Sequence, residues 1–359
     1  MNLHLAVDAG GTSTRCVVVD ERGGCLGYGA SASGNPISAG PALAARSVGA
    51  AAGAALQQAG VGGGRIASVL LAMAGANARS STAPFVDELA ALGVSAPVRF
   101  APDLLAIFCS GTWRLDGYAL VAGTGATAVR VEDGAVTRSA DGLGWLLGDD
   151  GSGFWIGRRV VRAALAELDH RGPHTALTGL LLADLGLADD GTRDQGRPGV
   201  LQRAMDALYA RRPVELARFA VLAFRAAGGA ADGAHPGDGA GPGNGAGPGN
   251  GAADLPAPVG DPIARAIVAE AADALAHTLD VVADAAMTGP VVLGGGTLAQ
   301  HDELVARITA ARSADGAEAE VRRVADGTVG AAVVALRQAS VDVDEQVFTA
   351  ISASLAALR

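Results

Sequence analysis

Apolar positions come in short bursts at the start of the chain: LHLAVD over 3–8, CVVVD over 16–20 across the link AGGTSTR, and CLGYGAS after the turn ERGG. Bursts of this length between glycine-rich turns predict three strands joined as antiparallel neighbours. The spacing then lengthens. Residues 41–58 and 82–92 read as helices, whereas SVLLAMAG and PVRFA read as buried strands. Three strands followed by alternating helices and strands predict a mixed α/β sheet with helices on its faces.

The opening pattern returns farther along. ALVAGTGATAVRVEDGA at 119–135 repeats the plan of AVDAGGTSTRCVVVDERGG at 6–24: strand, small Gly/Thr turn, Val-rich strand, acidic residue, Gly turn. This predicts two lobes built on one plan with a boundary near 111–117, the competing reading being chance likeness in a chain rich in Gly, Ala and Val. Residues 228–260 repeat GAGPGN and carry almost nothing to bury, which predicts a flexible surface insertion. Asp261-Pro262 marks a capped helix start. The strand VVLGGG at 291–296, a helix from about 298, the strand VRRVA and a helix from about 328 are expected to complete the second lobe.

Composition removes whole classes of chemistry. The chain has 359 residues, enough for two cores, and its 27 basic side chains are all Arg against 37 acids, a net charge of −10. Without a lysine there is no Schiff base, no pyridoxal-phosphate enzyme and no P-loop. A net acidic chain with scattered arginines lacks the concentrated basic face that nucleic acid requires. Cys16, Cys25 and Cys109 show no CxxC spacing and read as reduced thiols, which points to the cytoplasm. The opening MNLHLAVDAGG carries no signal-peptide pattern, and the stretch 267–286 is interrupted by acids, so no membrane segment is expected. The six histidines are scattered and predict no metal site.

Five places carry candidate chemistry. Asp8 ends the first strand before Gly10, Gly11 and Thr12, a turn whose backbone N–H groups can approach an anion; Asp8 there reads as a holder of Mg²⁺ or its water, or else as an ordinary turn residue. Gly123, Thr124 and Gly125 form the matching turn of the repeat, and Gly294, Gly295 and Gly296 stand between a strand and a helix, where a nucleotide meets free N–H groups. Asp103, in APDLLAIF, reads either as a helix N-cap or as a general base accepting a hydroxyl proton in phosphoryl transfer. The fifth is DGLGWLLGDDGSGFWIG over 141–157, where Asp149 and Asp150 sit among glycines and aromatics. That mixture suits a sugar, or simply a loop with one Asp capping the following helix. Asn35 is an Asx-turn residue by default and a ligand only if a cleft closes over it.

DAGGT at 8–12, APD at 101–103, AGTGA at 122–126, GLGWLLGDDGSGFWIG at 142–157 and VVLGGGT at 291–297, in that order, resemble the N-acetylglucosamine kinase branch of the BadF/BadG/BcrA/BcrD ATPases, within the actin/hexokinase/Hsp70 superfamily. The resemblance implies two actin-like (ribonuclease H-like) lobes, each a mixed sheet with helices on both faces, around a cleft. The first lobe is expected at 1–115, joined by a C-terminal helix within 341–359, and the second at 116–340. The resemblance also implies ATP and Mg²⁺, an amino-sugar substrate phosphorylated at its 6-hydroxyl, and admits a homodimer. It makes Asp103 the catalytic aspartate and puts Asn35, Thr124, Gly142, Leu143 and Asp149 against the sugar. Leu143 stands where the family commonly has Trp, which bears on the choice of sugar: N-acetylglucosamine, with glucosamine or N-acetylmuramic acid as alternatives. An ATPase activator of a 2-hydroxyacyl-CoA dehydratase is the reading from another class, and would need an iron–sulfur cluster on cysteines.

Overall fold

The computed structural model describes residues 2–73, 81, 83–228, 260–284, 286–313 and 320–359, so residues 229–259 of the expected insertion lie outside it. The first sheet is built from β1 (Leu3–Ala9), β2 (Ser13–Asp20), β3 (Cys25–Ala32), β4 (Ile66–Met73) and β5 (Val98–Pro102). Its helices are α1 (Pro36–Ala39), α2 (Pro41–Ala59), α3 (Ala83–Ala91) and α4 (Asp103–Gly111). The strand order is β3-β2-β1-β4-β5. The glycine turns leave β1, β2 and β3 antiparallel, because so few residues cannot carry the chain back across a sheet. The longer connections through helices make β1, β4 and β5 parallel. β1 is buried along its whole length, so apart from His4 it reads as an apolar run ending in Asp8-Ala9.

The second sheet begins with β6 (Gly117–Ala122), β7 (Ala126–Glu132) and β8 (Ala135–Asp141). It continues through α5 (Gly153–Leu168), α6 (Ala176–Asp184), the two-residue strands β9 (Arg193–Asp194) and β10 (Arg197–Pro198), α7 (Gly199–Tyr209), α8 (Ala220–Ala227) and α9 (Pro262–Val282). Then come β11 (Val291–Gly294), α10 (Gly296–Gln300), α11 (Asp302–Ser313), β12 (Val321–Arg323), α12 (Thr328–Gln338) and α13 (Glu345–Leu358). The order β12-β11-β6-β7-β8 repeats the first sheet element for element, antiparallel on the hairpin side and parallel on the other. The helix expected as one piece from about 298 is two, α10 and α11, broken at an extended His301 whose ring stacks on Phe224 with centroids 3.4 Å apart.

One helix departs from the order of the chain. α12, which sequence order assigns to the second lobe, packs on α4 and on β1 and β4 of the first sheet. One apolar core therefore runs from Ala6 and Val17 through α4 and α12 to Ala119 and Val292 of the second sheet. α13 lies against β3, where the Cys25 N–H donates to Ser354 Oγ at 2.9 Å.

The α4–α12 crossing is close because Gly330 has no side chain: a Cβ there would stand 1.7 Å from the Ala106 carbonyl oxygen. The Gly330 N–H instead donates to Ser110 Oγ at 2.8 Å. Gly330→Ala forces two backbones apart and is expected to destabilise the protein by about 3 kcal/mol. Urea unfolding reads this as a lower midpoint at unchanged slope; an unchanged midpoint would mean the crossing yields without cost.

Candidate active site

Asp8 and Asp103 stand at the carboxyl ends of β1 and β5, two parallel strands separated by β4. Crevices outside the carboxyl ends of parallel strands are where open α/β sheets bind ligands. Asp8 is buried, and its Oδ2 accepts the Gly327 N–H at 2.9 Å. Burial pushes its carboxyl up to about 7, helped by the negative charges of Asp326 and Asp103 and opposed by the Gly327 N–H and by Arg15. Asp103 is the first residue of α4, with Pro102 in the N-cap position. Its Oδ1 accepts the Leu104 N–H at 2.9 Å, and burial raises its carboxyl above the usual range. Pro102, at φ −60°, ends β5 opposite Met73 and places Asp103 on the junction of a strand and a helix.

The first glycine turn is closed by the Gly10 N–H donating to the Ser13 carbonyl at 3.0 Å, with Gly11 and Thr12 exposed. The Gly34 N–H reaches the Gly10 carbonyl at 3.3 Å, so buried Asn35 lies next to this turn.

The second turn meets three other segments. The Gly123 carbonyl accepts the Gly153 N–H at 2.7 Å and the Thr297 hydroxyl at 3.2 Å, tying the turn to the start of α5 and to α10. Gly295, at φ +90°, passes so near that a Cβ would stand 2.5 Å from the Ala122 carbonyl. Gly123–Gly125 and Gly294–Gly296 are thus brought together, with Thr124 and Gly296 exposed. Asp149 is buried beside them, accepting the Ala126 N–H at 3.3 Å, and burial raises its carboxyl. The cap of α5 is Ser152, whose hydroxyl accepts the Trp155 N–H, so neither Asp149 nor Asp150 is needed for that task.

Asp141 has a role that spacing did not reveal. Its two carboxylate oxygens accept the N–H groups of Asp149 at 2.8 Å and Asp150 at 2.9 Å, closing the loop at its neck. The loop then presents Leu143, Leu146 and Leu147 to solvent, while Trp145 leans on Phe154 at 5.4 Å. Gly142 and Leu143 are exposed at the start of this loop.

Asp326 is the residue that sequence reading missed altogether. It follows β12 as Asp103 follows β5, and it precedes α12 as Asp103 opens α4. It pairs with Arg15 at 3.4 Å and with Arg359 at 2.9 Å, and accepts the Thr328 N–H at 2.9 Å. Burial opposes its charge, but Arg359 and the Thr328 donors outweigh it and hold the carboxyl below the usual range. A signal existed in the repeat itself, since PVRFAPD and VRRVAD both run strand into acid into helix.

The sequence profile of the BadF/BadG/BcrA/BcrD ATPase family matches residues 5–227. The chain belongs to this family. Membership of an ATPase family implies use of ATP. An N-acetyl-D-glucosamine kinase of Dictyostelium discoideum is 30% identical over 204 residues, covering 52% of this chain and 62% of that one. A glucosamine kinase of Vibrio cholerae is 28% identical over 184 residues, covering 51% and 61%. The chain thus matches less than two thirds of the length of either relative. Among solved structures, a candidate N-acetylglucosamine kinase from Chromobacterium violaceum superposes with a TM-score of 0.63 at 21% identity, over 94% of this chain and 99% of that one. A ROK-family glucokinase from Streptomyces griseus gives 0.50 at 19% identity, over 94% and 100%. These likenesses establish an α/β fold of the actin-like ATPase type for this BadF/BadG/BcrA/BcrD ATPase. No helix among the described residues is long and apolar enough to cross a membrane.

Proposed function

We propose that the protein is an ATP- and Mg²⁺-dependent amino-sugar kinase, acting on the 6-hydroxyl of N-acetylglucosamine or a close relative. The observation that carries this reading is the placement of Asp8 and Asp103 at one end of the same sheet. The two acids stand at the carboxyl ends of β1 and β5, on either side of β4, in a member of an ATPase family with amino-sugar kinases among its relatives. Asp103 accepts the proton of the sugar hydroxyl as that oxygen attacks the terminal phosphate of ATP. Gly10–Thr12 and Gly123–Gly125 bind phosphates through their N–H groups, and Gly294–Gly296 face the adenosine. Asn35 and Asp149 orient the sugar, with Thr124, Gly142 and Leu143 around it.

The donor set fits Mg²⁺ held through water. Asp8 Oδ2 is engaged by Gly327, and among the described residues no three His, Cys, Asp or Glu side chains are placed to bind one ion directly. Mg²⁺ keeps several waters and takes one or two carboxylates plus substrate phosphates, which suits Asp8 acting alone. When bound, it would neutralise charge on the transferring phosphate. The three cysteines are free and buried, which supports a cytoplasmic setting.

The test is an ATP-consumption assay over N-acetylglucosamine, glucosamine, N-acetylmuramic acid, N-acetylmannosamine and glucose, with and without Mg²⁺. Amino-sugar-dependent turnover that requires the metal is expected; turnover independent of any sugar would overturn the reading. Asp141→Ala releases two N–H groups at the neck of the Asp149 loop. It is expected to raise the sugar KM about tenfold, the worth of one such charge-assisted bond, with kcat changed far less. An unchanged KM would detach that loop from sugar binding.

A further inference from the structure

Asp103 and Asp326 hold matching positions in the two halves of the repeat, yet their surroundings differ. Asp103 accepts an N–H from its own helix, whereas Asp326 is gripped from two sides by guanidinium groups. Arg15 belongs to β2 of the first sheet. Arg359 follows α13, which is fastened to the same sheet: the Cys25 N–H donates to Ser354 Oγ at 2.9 Å and Gln58 Nε2 donates to the Leu358 carbonyl at 3.3 Å. The Arg359 guanidinium also lies 5.1 Å over the Tyr28 ring, at the end of its path from α13 to Asp326. Asp326 itself arrives from β12 of the second sheet, and the next residue, Gly327, donates its N–H to Asp8. The two ion pairs therefore join the sheets directly beside the metal-facing carboxylate.

We propose that Arg359 is a positioning residue of the phosphate site, acting through Asp326. Its charge balances a buried carboxylate that would otherwise repel Asp8 and the phosphates of a nucleotide. Its hydrogen bond fixes the 326–327 segment so that the Gly327 N–H stays on Asp8 Oδ2. The proposal rests on the phosphoryl-transfer reading of Asp8. It differs from a purely structural role because the effect of Arg359 must vanish once Asp326 carries no charge.

A double-mutant cycle tests this with Arg359→Gln, Asp326→Asn and the pair together, each read by calorimetric binding of Mg²⁺·ADP and by kcat and sugar KM. Arg359→Gln is expected to weaken Mg²⁺·ADP binding and lower kcat by about tenfold each, with sugar KM moved less than about twofold. In the Asp326→Asn background the same change should add less than about twofold. Arg359→Lys keeps the charge without the fork and should recover part of both losses. If Arg359→Gln does not fold, Arg359→Lys is read in the same cycle, its smaller loss again vanishing beside Asp326→Asn. Equal losses in both backgrounds, or no loss in either, would overturn the proposal. Nucleotide binding needs no sugar, so a parent enzyme that phosphorylates none would sink the kinase reading while the binding cycle still decides the role of Arg359.

Discussion

Asp103→Asn lowers kcat by about two to four orders of magnitude, the usual contribution of a general base, while the sugar still binds. The substitution is close to silent for the fold. An Asn Oδ1 can accept the Leu104 N–H as the carboxylate does, and the helix start set by Pro102 is untouched. What disappears is the ability to take a proton. Burial raises the Asp103 carboxyl above its ordinary value, and a base works only when ionised. In the parent enzyme kcat/KM should therefore fall as pH is lowered through that raised value, and in the variant the part of the acid limb due to Asp103 should be gone, leaving only the contributions of Asp8 and Asp149. Steady-state kinetics across pH, with sugar affinity measured separately by calorimetry, checks both parts. Near-normal turnover in the variant would remove Asp103 from the chemistry.

Asp8→Asn gives the second large effect, and its two halves have opposite signs. Loss of the carboxylate proposed to hold Mg²⁺ through water is expected to reduce phosphoryl transfer by about a hundredfold or more. The unliganded protein should nonetheless become more stable at alkaline pH. The Asp8 carboxyl stands at about 7 in the fold against an ordinary 3.8, because burial and the neighbouring acids disfavour its charge. A carboxyl raised by folding contributes stability that is complete below its unfolded value and is lost as pH rises through its folded one. The Asp8 contribution to the parent Tm should be lost between about pH 4 and pH 7 and level off above, and Asp8→Asn should flatten that slope and melt higher at pH 8. Thermal melting of both proteins without nucleotide provides the comparison. A slope as steep in the variant as in the parent would place the titrating group elsewhere. The site thus holds a charge that the fold alone disfavours, as expected where a carboxylate is kept for function.

The positions of the candidate residues at strand ends could be read before the fold was known. Asp8, Asp103 and the three glycine turns each sit at a strand end, and strands and turns are written in residues a few positions apart. The repeat of 6–24 at 119–135 carried further still, because two segments of one plan fold into two sheets of one strand order. Other residues gave no such sign. Asp141 looked like one more acid in a polar loop until its carboxylate was found across the neck from Asp149 and Asp150. Asp326 was not singled out at all: the repeat places it where Asp103 stands, but nothing near it in the chain announces Arg15 or Arg359.

The two opening hairpins, the alternating helices and strands of the first half and the acids Asp8 and Asp103 were written in the sequence alone, because hydrophobic period and turn chemistry act over one or two turns of chain. The tertiary structure decided where α12 goes, and with it the company that Asp8 keeps. α12 meets β1 and α4 only because Gly330 lets two helices approach to backbone contact. That approach brings Gly327 and Asp326 from one sheet against Asp8 and Arg15 of the other. Charges separated by most of the chain feel one another only after that packing is complete, so no local pattern could have recorded their meeting.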